Sequence, residues 1–207
     1  MPSLEACVLS SYHAREVVFA VDGRQVVGAE FGSGSVGVVM AHEFMANLCG
    51  WVAYAEHLST LGYRALAFDF GGELVDDVAG AAEQVVHDGA SRVVLMGASM
   101  GGTASLVAAQ TYPAHVVAVA SLSGPANYLG IDALAAVRHL TIPVLFMVAQ
   151  QDYAFSADAS TLYDACASPH KYLQVYPGND HGTELLGFSV AAAAQSRLDA
   201  FLAAVSQ

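Results

Sequence analysis

The stretch Arg92-Val93-Val94-Leu95-Met96-Gly97-Ala98-Ser99-Met100-Gly101-Gly102-Thr103-Ala104 decides the fold. An apolar run of strand character passes into small residues of helix character with no linker between them. A chain that turns from strand to helix within one residue cannot carry Cβ atoms where the two segments crowd, and Gly97 and Gly101 remove them. Ser99 is then held in a strained backbone conformation with its side chain above the sheet, which is the mechanical content of G-x-S-x-G.

Outward from this turn, apolar runs alternate with helical stretches. Val17–Val21 and Val26–Phe31 flank Asp22-Gly23, a hairpin signal. Further strands are expected at Val36–Ala41, Arg64–Phe70, Val116–Leu122, Pro143–Ala149 and Tyr172–Tyr176. Helices are expected at Leu48–Leu61, Glu73–His87, Asp132–His139, Asp158–Ala167 and Glu184–Val205, the last burying Leu185, Phe188, Ala192, Leu198, Phe201 and Leu202. A hairpin followed by strand–helix units predicts an α/β protein with a mostly parallel eight-stranded sheet and helices on both faces. Reactive groups in such sheets lie at the carboxyl ends of the strands. Ser99, Asp152 and His181 all fall there.

Composition narrows the classes. The 207 residues are 55% hydrophobic and 13% charged, which excludes disorder and fits a doubly covered sheet. One domain over residues 1–207 is expected, with residues 1–15 as a flexible N-terminal extension. The net charge of −12 would repel nucleic acid and acidic membranes, so neither is an expected partner. Cys7, Cys49 and Cys166 are an odd number without CxxC spacing. They predict buried thiols rather than a disulfide framework or zinc site, and a reducing compartment. With no basic start and apolar block at the N-terminus, the expected location is cytoplasmic. The eight histidines show no ligand spacing, so no metal and no cofactor are expected.

A serine hydroxyl is a weak nucleophile. It needs a base within hydrogen-bond reach, and the base needs a carboxylate to orient it. Asp152 follows the strand Val144–Val148, and His181 follows the last strand within Pro177-Gly178-Asn179-Asp180-His181-Gly182. Asp158 is an alternative acid or a helix-terminal charge, and Asp180 reads as a turn residue. His170 should lie at the opposite end of the sheet, and Asp69 reads as a local hydrogen-bond acceptor.

With the order Ser, Asp, His, the Gly97–Gly101 turn and Ala41-His42 after the third strand, the chain resembles the α/β-hydrolase superfamily from about Val17 onward. The resemblance implies Ser99 as nucleophile, His181 as general base and then acid, and Asp152 as orienter. It implies an oxyanion hole from the backbone N–H groups of Met100 and Phe44, with His42 bracing the loop. Glu43 departs from the glycine common at that place. Glu43-Phe44 resembles the corresponding pair of the dienelactone hydrolase family, whose nucleophile is usually cysteine and whose glutamate helps control its ionisation. Leu185 stands where that family has an arginine, so the likeness is partial.

Only Ser123–Ile142 separates the sixth and seventh strands, which leaves no room for more than a minimal cap. Glu43, Met45, Tyr128 and Tyr153 are expected to line the substrate site, with Phe155 nearby; Glu43 would bind a polar substrate group, assist proton transfer or simply face solvent. The expected activity is hydrolysis of an ester, thioester or lactone of a small to medium acyl compound through an acyl-enzyme. The same residues would also serve an acyl transferase or cyclase, and the fold alone would serve a non-catalytic ligand-binding protein.

Overall fold

The computed structural model describes residues 5–112 and 114–207. Strands β1 (Arg15–Val21) and β2 (Arg24–Phe31) pair antiparallel around Asp22 and Gly23. Both turn residues have positive φ, 47° and 79°, as a two-residue turn matched to strand twist requires. The next strands are β3 (Val36–Ala41), β4 (Arg64–Asp69), β5 (Arg92–Ala98) and β6 (Val116–Leu122). A small separate hairpin, β7 (Asn127–Tyr128) with β8 (Ile131–Asp132), was not expected. Strands β9 (Val144–Ala149) and β10 (Lys171–Tyr176) complete the main sheet.

That sheet has eight strands in the order β1-β2-β4-β3-β5-β6-β9-β10, parallel from β4 to β10. It is the α/β-hydrolase architecture the sequence predicts. The chain leaves β3 toward β4 on one side and then crosses back to β5 on the other. The strand order therefore reverses between β3 and β5, where a crevice opens at the carboxyl ends.

Helices cover both faces. α1 (Cys49–Thr60) and α6 (Ala191–Val205) pack on one face; α2 (Leu74–His87), α3 (Met100–Thr111), α4 (Ala133–Val137) and α5 (Tyr153–Ala165) pack on the other. Strand alternation feeds two cores. Val38 and Met40 join Trp51, Leu58 and Phe201, whereas Val39 and Ala41 join Val78, Val85 and Leu106. Central strands buried on both faces read as unbroken apolar runs for this reason.

Three expectations need correction. Cys7 and Cys49 form a disulfide, and only Cys166 is a free, buried thiol among the described residues. The bridge joins positions 42 residues apart that meet only in the fold, so their spacing gave no sign of it. The ground for a reducing compartment falls with it. The terminal helix is interrupted: a 3-10 turn, Gly182–Leu186, precedes α6, and Gly187–Val190 breaks the run. Phe188 and Ala192 are exposed as a result, and the buried stripe is Ala194, Leu198, Phe201, Leu202 and Val205. Helix α5 starts at Tyr153, five residues ahead of the expected Asp158, because Asp152 O accepts from the N–H groups of Phe155 and Ser156.

The expected N-terminal extension is anchored where it is described. The Cys7 bridge, a 3-10 turn at Ser10–Tyr12, and packing of Val8 and Tyr12 against the core tie it down; residues 1–4 lie outside the described residues. No helix among the described residues is long and apolar enough to cross a membrane.

Candidate active site

Ser99 sits between β5 and α3 with φ 48° and ψ −118°. A non-glycine residue there is strained by about 1–3 kcal/mol and persists only where its surroundings enforce it. They do so through close backbone packing. A Cβ on Gly97 would meet Gly101 O and C and would stand 2.6 Å from Gly102 N. One on Gly101 would meet Ala41 O and stand 2.6 Å from His42 O. The two glycines let the start of α3 press against both β5 and the end of β3, at the point where the strand order reverses. Met100 follows as the first residue of α3, where backbone N–H groups lack helical partners.

Asp152 lies past the end of β9, is 4% exposed, and precedes α5 without capping it through its side chain. Its carboxylate instead accepts from His181 Nδ1 at 2.9 Å (Oδ2) and 3.1 Å (Oδ1). His181 is fixed from both sides of the chain. Its N–H donates to Glu184 Oε2 at 2.9 Å, and the next amide, Gly182 N–H, donates to the fully buried Ser123 Oγ at 3.2 Å. Burial opposes protonation of this imidazole. The Asp152 hydrogen bond and the charges of Asp152, Glu43 and Glu184 outweigh that and hold its pKa above the ordinary histidine value.

The loop after β3 supplies the opposite wall. His42 is buried; Nδ1 donates to Glu43 O at 2.8 Å, and Nε2 accepts from Phe70 N–H at 3.4 Å. Ala46 N–H also donates to Glu43 O, at 3.2 Å. Carbonyl and amide point in opposite directions across a trans peptide, so holding Glu43 O fixes the direction of Phe44 N–H. His42 thus braces the loop, as expected. The Glu43 carboxylate accepts from Thr183 Oγ1 at 2.5 Å through Oε1. Its Oε2 is buried with no partner among the described residues.

These elements enclose a cavity of about 360 Å³ lined by Glu43, Phe44, Ser99, Pro125, Asn127, Tyr128, Phe155 and His181. Ser99 and His181 share this cavity, though no hydrogen bond joins them among the described residues. Such contacts are often long without substrate and tighten in the complex. Of the residues expected to line the site, Glu43 and Tyr128 are in the wall, and Phe44, expected as an oxyanion donor, lines it too. Met45 and Tyr153 are not in that wall; they stand about nine-tenths exposed, both at positive φ.

The rival carboxylates have structural duties. Asp158 accepts from Ala126 N–H, Asp69 from Leu48 N–H, and Asp180 from Ser189 Oγ. Sequence reasoning missed Pro125 and Asn127, which enter through the unforeseen β7–β8 hairpin region, and Thr183, whose role appears only once Glu43 is beside it.

No curated protein sequence matches the chain significantly. Solved structures do, at low identity. An esterase from Pyrococcus furiosus superimposes with a TM-score of 0.83 at 16% identity, covering 95% of this chain and 94% of its own. A dienelactone hydrolase from Anabaena variabilis gives 0.77 at 23%, covering 91% and 97%. A monoacylglycerol lipase from Paleococcus ferrophilus gives 0.74 at 15%, covering 86% and 98%. These likenesses establish the fold. The Esterase family model matches residues 70–191, more than half of the chain and the segment holding Ser99, Asp152 and His181. The chain belongs to the esterase family and is a carboxylic ester hydrolase on an α/β-hydrolase fold.

Proposed function

We propose that residues 1–207 form one catalytic domain in which Ser99, His181 and Asp152 act as nucleophile, base and orienting acid. The substrates are esters, thioesters or lactones of small to medium acyl groups. The observation that carries this reading is the strained Ser99 sharing a cavity with His181, whose Nδ1 is committed to the buried Asp152. That hydrogen bond leaves Nε2 as the nitrogen free to take a proton.

In this mechanism Ser99 Oγ attacks the substrate carbonyl as its proton passes to His181 Nε2. The oxyanion is held by the N–H groups of Met100 and Phe44, each donor contributing about 3 kcal/mol to the transition state. His181 returns the proton to the leaving oxygen or sulfur, and an acyl-Ser99 remains. Water then attacks, losing its proton to His181, and the acid departs as Ser99 Oγ regains a proton. Asp152 stabilises the imidazolium at both stages. Glu43, Phe44 and Tyr128 contact the substrate, while the exposed Met45 and Tyr153, next in sequence to Phe44 and Asp152, meet the outer part of a longer one.

A fluorophosphonate probe tests the reading directly. Mass spectrometry should find the adduct on the peptide holding Ser99, and Ser99→Ala should abolish both labelling and ester turnover. Labelling elsewhere, or an active Ser99→Ala enzyme, would overturn it.

A further inference from the structure

Among the described residues that line the cavity, none is Lys or Arg, although the chain has seven such residues. Its carboxylate, Glu43, has one oxygen on Thr183 and the other buried without a donor. Among the described residues no Lys, Arg or His forms an ion pair with it, although its charge is felt by His181. Three aromatic side chains, Phe44, Tyr128 and Phe155, complete much of the wall. Phe155 packs against the His181 ring with centroids 4.4 Å apart. A carboxylate with aromatic rings around it is the chemistry that holds an alkylammonium group, through charge attraction and the negative faces of the rings. The same field repels a carboxylate on the substrate, and the overall charge of −12 adds to it at long range.

We propose that this cavity sorts esters by charge, favouring substrates that carry an ammonium group and rejecting those that carry a carboxylate, with Glu43 as the specificity-determining residue. The proposal rests on the Ser99 hydrolase reading and adds a substrate class to it. The mechanism is a field effect. A partly buried carboxylate in the cavity wall acts on the substrate's charged end through a lower effective dielectric than bulk water, whether or not the two touch.

The test uses p-nitrophenyl hexanoate with two analogues of similar length: mono-p-nitrophenyl adipate, which is anionic, and p-nitrophenyl trimethylammoniovalerate, which is cationic. From Coulomb attraction in a partly solvated site, kcat/KM should rise about tenfold from anionic to neutral and again from neutral to cationic. The cationic-to-anionic ratio should shrink as salt is added. Glu43→Gln keeps an oxygen for Thr183 and should cut that ratio by about an order of magnitude. Equal rates on the three esters, a preference for the adipate, or an unchanged ratio in Glu43→Gln would overturn the proposal while leaving the hydrolase reading intact. A wild-type enzyme inert on all three esters would overturn both.

Discussion

Replacing Gly101 by alanine isolates the packing that makes the nucleophile turn. Gly101 is the second residue of α3, and helix propensity alone predicts a gain of up to about 1 kcal/mol from the change. The structure predicts the opposite sign. The added Cβ would meet Ala41 O, His42 O at 2.6 Å and Ala41 C at 2.7 Å. All are backbone atoms at the end of β3, so no side-chain rotation relieves the contact. Overpacking of this kind costs about 1–3 kcal/mol, which leaves a net loss of up to about 2 kcal/mol after the full propensity gain.

The functional loss should be larger than the stability loss. The displaced backbone leads straight into Glu43 and Phe44, so the α3 start and the β3 loop would move apart by a fraction of the clash. A misplacement of about 1 Å at reacting groups costs on the order of a hundredfold in rate. Urea denaturation should therefore show a modestly lowered midpoint with the slope unchanged. Hydrolysis of a neutral p-nitrophenyl ester should show kcat falling far more than that stability loss explains. Gly187→Ala is the matched control, since a Cβ there meets nothing within 4 Å. A Gly101→Ala enzyme as stable and as fast as wild type would refute the claim that close backbone approach sets this turn.

Asp152→Asn keeps the shape of the orienting group but removes its charge. It should cut kcat by roughly a thousandfold or more with little change in melting temperature; a loss under tenfold would place the orienting carboxylate elsewhere. Because His181 must be neutral to act as base and its pKa lies above the ordinary value, kcat/KM should fall with acidification through a limb above about pH 6.5. A limb at or below that value would contradict the three-carboxylate surroundings. Thr183→Val frees Glu43 Oε1 and unties the β3 loop from the His181 loop; kcat and the acid limb should both change, and an unaltered pH profile would show the contact to be idle. Cys49→Ser opens a bridge of sequence separation 42, worth about 4 kcal/mol in loop-closure entropy. Thermal melting should fall by about 10 °C, and an unchanged melt would mean that the bridge does not stabilise the fold.

The elements legible in the sequence are those whose cause is local. Asp22-Gly23 demanded a tight hairpin because only such residues adopt positive φ in succession cheaply. Gly97 and Gly101 marked the strand-to-helix turn because the crowding they relieve lies within a few residues of Ser99. The doubly buried strands were legible because both faces are apolar, so no alternation was needed to recognise them. The helix at Asp158–Ala167 was placed late for an equally local reason. Asp152 looked like a loop residue that would end the strand, whereas its carbonyl starts the helix and its carboxylate turns away to His181. One residue serves as helix boundary and candidate acid at once, and a linear reading assigns it only the second role.

What stayed hidden depends on residues distant in sequence and adjacent in the fold. Cys7 meets Cys49 only because the N-terminal segment runs beside the start of α1. Thr183 and Glu43 lie 140 positions apart and meet because the loops after β3 and β10 converge at the same sheet end. This second meeting changes the meaning of Glu43. Read alone, a carboxylate beside a developing oxyanion looks harmful, since it repels the charge that catalysis must stabilise. In the structure one oxygen is held by Thr183, and its charge favours the protonated form of His181. The imidazolium forms in the same step as the oxyanion. A carboxylate that stabilises the first can offset its repulsion of the second, so its net effect on acylation depends on which of the two it lies closer to. Glu43→Gln resolves that balance: slower acylation of a neutral ester means that support of the imidazolium dominates, and faster acylation means that repulsion of the oxyanion does.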